Sequence, residues 1–266
     1  EKRLMIRLVK GAYWDSEIKK AQIEGMTDYP VFTRKVHTDL SYIACAKKLL
    51  AAPEQIYPQF ATHNAQTLAT IYEMANPEKY YVGQYEFQCL HGMGEPLYEQ
   101  VVGEKQDKKL GVPCRIYAPV GNHETLLAYL VRRLLENGAN TSFVNRIADK
   151  SLAIDDLIEN PTQTILSSAK RENIVGQKHL SIPLPAELYG QLRANSKGLD
   201  LANDSALAQL NQTAQQFAKH QWSAAPMGEH IQTNDAVAPQ SIINPARHTD
   251  VVGYVQEATT EQVEQA

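Results

Sequence analysis

The chain has 266 residues, 43% hydrophobic and 21% charged, with a net charge of −4. This is ordinary globular composition, and without a long basic block it offers little footing for nucleic acid. No apolar run is long enough to span a bilayer, and the opening Glu1-Lys2-Arg3-Leu4-Met5 does not read as a signal peptide.

The chain opens without a methionine and close to an apolar run, so it reads as cut from a longer protein. Residues 4–9 read as a buried strand, with helical patterns at 15–25 and 33–51. A second strand fits 57–61 and a helix 64–75. A third strand fits 80–89 and a helix 95–103. A fourth strand at 114–118 leads to a helix at 123–137. Four strand–helix units imply parallel pairing with right-handed crossovers, either half of a (β/α)8 barrel or a short doubly wound sheet. The unusual clusters follow the strands: Lys10 to Asp15, Thr62-His63-Asn64, Gln88 to Gly94, and Tyr117 to Gly121. Both architectures place ligands at strand carboxyl ends.

The pattern changes after about residue 146. Residues 147–175 read as a helical connection with a break and N-cap at Asn160-Pro161-Thr162, and 180–200 as irregular. A helical period runs over 201–221, a linker over 225–240, and two short strands, 241–246 and 251–255, precede a helix start at Thr259-Thr260-Glu261.

The three cysteines, Cys45, Cys89 and Cys114, form no zinc or redox pattern and read as small buried hydrophobes in a reducing compartment. His63 and His91 lack the spacing and the carboxylates of a metal site. Glycine-rich phosphate loops and the GxSxG motif are missing from the sequence.

Tyr129, Arg132, Arg133 and Glu136 share one side of a helix by their i, i+3, i+4, i+7 spacing. Two guanidinium forks on one face suit a small carboxylic acid; a solvated arginine pair is the plainer explanation. Arg7 within an apolar strand needs a partner, either an acid or a negatively charged ring. Lys10 can meet a phosphate, Trp14 can cover an aromatic base and Tyr13 can line a pocket, although taken alone an aromatic plug at a strand end is the plainer reading. Thr33, Arg34 and Lys35 open a helix and form an anion site or a solvated helix start. His63 and Asn64 read as cofactor contacts or, for Asn64, as an N-cap. Tyr117 shares the rim with Tyr129 and the arginine pair.

Five blocks over about residues 3–147 resemble, in order, the proline dehydrogenase domain of the bifunctional proline utilisation A flavoproteins. They are Arg7 to Trp14, Ala61 to Asn64, Gln84 to Met93, Arg115 to Gly121, and Tyr129 to Asn137. Asn244-Pro245-Ala246 with Val251-Val252-Gly253 is similar to the start of the attached aldehyde dehydrogenase domain.

The resemblance implies an α/β fold: the C-terminal half of a distorted (β/α)8 barrel over 1–147, a helical and irregular connection over 148–240, and an aldehyde dehydrogenase-like beginning at 241–266. It implies noncovalent FAD, oxidation of L-proline at C5 by hydride transfer to flavin N5, and Δ1-pyrroline-5-carboxylate as product. Electrons would pass to a membrane quinone through peripheral contact of a cytoplasmic protein with the inner membrane. Homo-oligomerisation is compatible with this, and DNA binding only through a separate domain of the parent. NAD would serve the aldehyde dehydrogenase remainder, and no metal is implied.

Carried over by position, Arg132 and Arg133 clamp the proline carboxylate, while Ala12, Tyr13, Leu90, Tyr117 and Tyr129 enclose its ring. Arg7 sits beside the flavin. Lys10, Trp14, Thr33, Lys35, Thr62, His63, Asn64, Gln88 and Glu136 contact the cofactor. The family also uses a lysine and an aspartate from earlier strands, which are not in this chain. The competing readings are a barrel enzyme acting on a phosphorylated acid, and a binding scaffold without catalysis.

Overall fold

Four strands, β1 (Leu4–Val9), β2 (Ile56–Ala61), β3 (Glu86–Leu90) and β4 (Cys114–Tyr117), lie side by side in chain order with every pair parallel. The computed structural model describes residues 2–11, 13–138, 153, 155, 158–227 and 238–265. Helices fill the crossovers: α1 (Trp14–Ile23) and α2 (Lys35–Leu50) after β1, α3 (Ala65–Met74) after β2, α4 (Glu95–Tyr98) after β3, and α5 (His123–Gly138) after β4. This is the α/β fold with a parallel sheet that the alternating pattern predicts.

Asparagines start two of these helices. The Asn64 side chain accepts from the Thr67 N–H at 3.0 Å, and Asn122 from the Thr125 N–H at 2.9 Å. Each satisfies an N–H that the first helical turn leaves without a partner.

The period-2 alternation of the strands separates two faces. Phe60, Phe87 and Cys89 turn toward the helices and pack with Tyr42, Ala46, Leu68, Ile71, Tyr85 and Tyr98 into the core. Its aromatic rings meet edge-on, as in Tyr85 against Phe87 at 5.5 Å between centroids and 90° between planes. The other face carries Arg7, Gln59, Glu86, Gln88 and Arg115, in register across the four strands.

Two buried tyrosines fix the strand ends. The Tyr42 hydroxyl donates to the carbonyls of Leu8 and Ala61, each at 3.2 Å, and that of Tyr98 to the Thr62 carbonyl at 2.8 Å. Burial raises both phenol pKa values, so both stay protonated donors.

Several details depart from the sequence reading. Strand β1 is not buried: it is an edge strand, with Leu4 66% exposed. The fully buried strand is β3. That strand starts at Glu86 rather than near 80, because Pro77–Lys79 forms a 3-10 turn and Gly83 takes a left-handed φ of 89°. The helix expected over 95–103 is one turn long. Cys45 is exposed and Cys114 half-buried, so only Cys89 is a buried hydrophobe.

The chain divides into two compact units, Glu1–Lys197 and Gly198–Ala266. The first also contains α6 (Pro161–Glu172), capped as expected by Asn160, whose side chain accepts from the Thr162 N–H at 2.9 Å. Arg34 holds α6 against the start of α2 through both carboxylate oxygens of Glu172, at 2.9 and 3.1 Å. The second unit contains α7 (Asp204–Phe217), a small sheet of β5 (Trp222–Ala224), β6 (Gln240–Asn244) and β7 (Arg247–Val255), and α8 (Thr260–Gln265). The hairpin and closing helix match the expected strand pair and helix start. Strand β5, parallel to β7, was not foreseen. Most of the expected 225–240 linker lies outside the described residues.

Candidate active site

Helix α5 buries the opposite residues from an ordinary amphipathic helix. Among its described side chains Leu126, Tyr129, Arg132 and Arg133 are half-buried, while Leu134 and Leu135 are 72% and 69% exposed. The Arg132 guanidinium carbon lies 4.6 Å from the centre of the Tyr13 ring, and its Nη2 donates to the Tyr13 hydroxyl at 3.0 Å. Arg133 lies over Tyr129 at 5.1 Å and donates to its hydroxyl at 3.4 Å. Both cations therefore lie against π faces at the rim. Tyr117, at the end of β4, completes the aromatic wall. Burial raises its pKa, and the nearby Arg7 and Arg133 charges oppose that rise.

Arg7 points from β1 across the sheet. Its Nε donates to Gln88 Oε1 at 2.8 Å, and its guanidinium stands 5.0 Å from the centre of the Tyr117 ring. Among the described residues no acid pairs with Arg7; an amide and a ring take that place. Gln88 in turn donates from Nε2 to Glu86 Oε1 at 3.0 Å. Glu86 is 4% exposed and also accepts from Gln59 at 2.9 Å, Tyr57 at 3.1 Å and both forks of Arg115 at 2.7 and 2.9 Å. Burial by itself would raise its pKa. The hydrogen bonds from Arg115, Gln88, Gln59 and Tyr57 outweigh burial and bring it down to about 2.

Past the end of β1, Lys10 Nζ bonds Asp39 at 2.5 Å and the Thr67 hydroxyl at 3.2 Å. Lys35 takes the other oxygen of Asp39 at 2.6 Å. Two ammonium groups on one carboxylate leave a net positive charge at the head of α2. Burial lowers the Lys10 pKa, and Asp39 partly restores it. The Trp14 indole donates to the Phe32 carbonyl at 2.8 Å and leaves 42% of the residue exposed. The Thr33 hydroxyl accepts from the His179 N–H at 2.9 Å.

After β2, the Thr62 hydroxyl accepts from the Asn64 N–H at 3.1 Å, shaping the entry to α3. His63 Nε2 accepts the Leu90 N–H at 3.1 Å, joining the ends of β2 and β3. Burial, then the Arg133 charge, lowers the His63 pKa, so the ring is neutral and carries its proton on Nδ1. Gly94 makes room for it: a Cβ there would stand 3.1 Å from His63, Cys89 and Tyr98.

The structure thus joins Arg7 to Gln88 and Tyr117, pairs Arg132 with Tyr13 and Arg133 with Tyr129, and sets Lys10 and Lys35 together on Asp39. Asn64 caps α3, and Thr33 faces the 179 segment. Ala12 and the side chain of Glu136 lie outside the described residues. Sequence reasoning missed Glu86, Asp39 and Arg115. Glu86 carries a readable signal: an acid two residues before Gln88 in an otherwise apolar strand shares its face. Asp39 lies at i+4 from Lys35 on one helix.

Residues 1–146 match the family described as "Proline dehydrogenase". The chain belongs to the proline dehydrogenase family. It is 63% identical to the bifunctional protein PutA of Klebsiella aerogenes over 265 residues, which is 100% of this chain and 20% of that relative. A solved bifunctional proline utilization A (PutA) protein is 48% identical with a TM-score of 0.70, over 88% of this chain and 22% of that one. PutA from Bdellovibrio bacteriovorus, inactivated by N-propargylglycine, is 32% identical with a TM-score of 0.73, over 98% of this chain and 25% of that one. The chain therefore spans about a fifth of the length of the curated PutA relatives it matches.

Proposed function

We propose that this chain carries the substrate clamp and much of the cofactor site of an FAD-dependent proline dehydrogenase. In this reading its parallel sheet is half of a distorted (β/α)8 barrel, joined through a connection to an aldehyde dehydrogenase-like domain that opens near residue 241. The observation that carries it is the reversed burial of α5, which keeps Arg132 and Arg133 against aromatic rings while neighbouring leucines stay exposed. Family membership and likeness to PutA along the whole chain support it.

The side chains fit FAD, an anion in its middle with flat hydrogen-bonding rings at its ends. Arg7, Gln88 and neutral His63 supply hydrogen-bonding groups near the strand ends, Trp14 an open indole face, and Lys10 with Lys35 a net cation for phosphate. Thr33, Thr62, Asn64 and Glu136 complete the proposed cofactor contacts. When bound, FAD supplies a hydride acceptor at N5 for the hydrogen that leaves proline C5.

The chain's own residues bind and orient. Arg132 and Arg133 hold the carboxylate through paired charge-assisted hydrogen bonds. Ala12, Tyr13, Leu90, Tyr117 and Tyr129 shape an apolar enclosure with polar tips for the five-membered ring, fixing which carbon faces the acceptor. Arg7 places positive charge where electron density accumulates. The product is Δ1-pyrroline-5-carboxylate. A membrane quinone, reached by peripheral contact, takes the electrons. The full-length protein should reduce an artificial electron-acceptor dye only when L-proline is supplied. A protein that binds proline without reducing dye would contradict the proposal.

A further inference from the structure

Glu86 is the most deeply buried charged group on the polar face of the sheet, and nothing in the clamp or the cofactor contacts uses it directly. Its four side-chain partners come from three strands: Tyr57 and Gln59 on β2, Gln88 on β3, and Arg115 on β4. Of these, Gln88 alone reaches onward to Arg7. A carboxylate only accepts hydrogen bonds and a guanidinium only donates them. Placed between them, the Gln88 amide has one workable orientation, with Nε2 toward Glu86 and Oε1 toward Arg7. Arg7 then has its Nε occupied by Gln88 and its guanidinium held beside the Tyr117 ring.

We propose that Glu86 is a positioning residue for proline oxidation, locking the Gln88 amide and thereby aiming the Arg7 guanidinium at the electron-accepting ring. This rests on the proline dehydrogenase reading. Arg115 anchors the far side of the carboxylate, so the chain Arg115–Glu86–Gln88–Arg7 crosses from β4 to β1 by way of β3.

The test uses the full-length protein with its flavin. Glu86→Gln puts an amide donor against the Gln88 amide and frees it to turn over. The expected result is a fall in kcat of roughly 10- to 100-fold with the KM for proline kept within about twofold, because the clamp is untouched. The flavin absorption spectrum and reduction potential should shift as well. A variant with lower melting temperature but wild-type kcat, spectrum and potential would mark Glu86 as a fold element only and overturn the inference.

Should Glu86→Gln fail to fold, Arg115→Gln serves. It leaves Glu86 facing Tyr57, Gln59 and Gln88 without its guanidinium partner, and should move the acid limb of kcat toward neutral pH. An unmoved limb overturns the inference. Failure of the parent reading is separate: a wild-type protein that takes up no flavin overturns both, whereas a flavin-loaded, proline-oxidising wild type matched by its variants overturns this inference alone.

Discussion

Arg132 and Tyr13 stand 119 positions apart in the chain, yet the guanidinium carbon of one lies 4.6 Å from the ring centre of the other. The contact joins α5, which follows the fourth strand, to the start of α1, which follows the first. It spans the carboxyl rim of the sheet. Replacing Tyr13 with Leu should remove the ring and raise the KM for proline, with about 0.5–2 kcal/mol lost from Arg132 placement. Tyr13→Phe keeps the ring and should cost less. Steady-state kinetics of the two variants checks the order.

Each arginine of the clamp should matter separately. Arg132→Met or Arg133→Met removes charge-assisted hydrogen bonds worth about 1.5–3 kcal/mol, or roughly 10- to 150-fold in proline affinity. Both side chains already rest on aromatic rings, so methionine should be tolerated by the fold. Melting temperatures close to wild type, alongside the raised KM, are the expected pair of results.

Acid should weaken the polar face of the sheet. The Glu86 pKa in the folded protein is about 2, below its ordinary 4.5. A depressed carboxylate stabilises the fold fully above the ordinary value, and that contribution is lost as pH falls from 4.5 toward 2. The amount is on the order of 3 kcal/mol. Denaturant melts at several pH values should show this acid limb, and Glu86→Gln should flatten it.

His63 should titrate below its ordinary 6.5, since burial and Arg133 both disfavour its cation. Protonating Nε2 would break the bond from the Leu90 N–H. The stability this neutral ring confers is therefore full above 6.5 and declines as pH falls. Nitrogen NMR should find the Nδ1–H tautomer at neutral pH; a midpoint at or above 6.5 would contradict the assignment.

The core should respond as a single packed unit. Phe87 is fully buried and meets Phe60, Tyr85 and Tyr98. Phe87→Ala should cost about 3–5 kcal/mol. Equilibrium unfolding of the full-length protein measures this.

The sheet was legible because its strands alternate with helical patterns and end in glycine- and histidine-bearing clusters. The arginine doublet was legible because helix periodicity fixes which side chains share a face. The edge position of β1 was not, because an apolar run reads alike whether or not neighbours cover it. The partner of Arg7 was not legible either. Gln88 is 81 positions away, and only the parallel register brings the two together. Glu86 was legible only through Gln88, two residues away on the same face; Tyr57, Gln59 and Arg115 are 27 to 29 positions distant, and an acid in a strand does not disclose an arginine on the next strand.

The most direct measurement is an anaerobic titration of the flavin-loaded full-length protein with L-proline, followed by visible absorbance. The wild type should bleach, and the Arg132→Met/Arg133→Met double variant should bleach only at far higher proline. Bleaching at the same proline concentration in both, or in neither, would contradict the clamp.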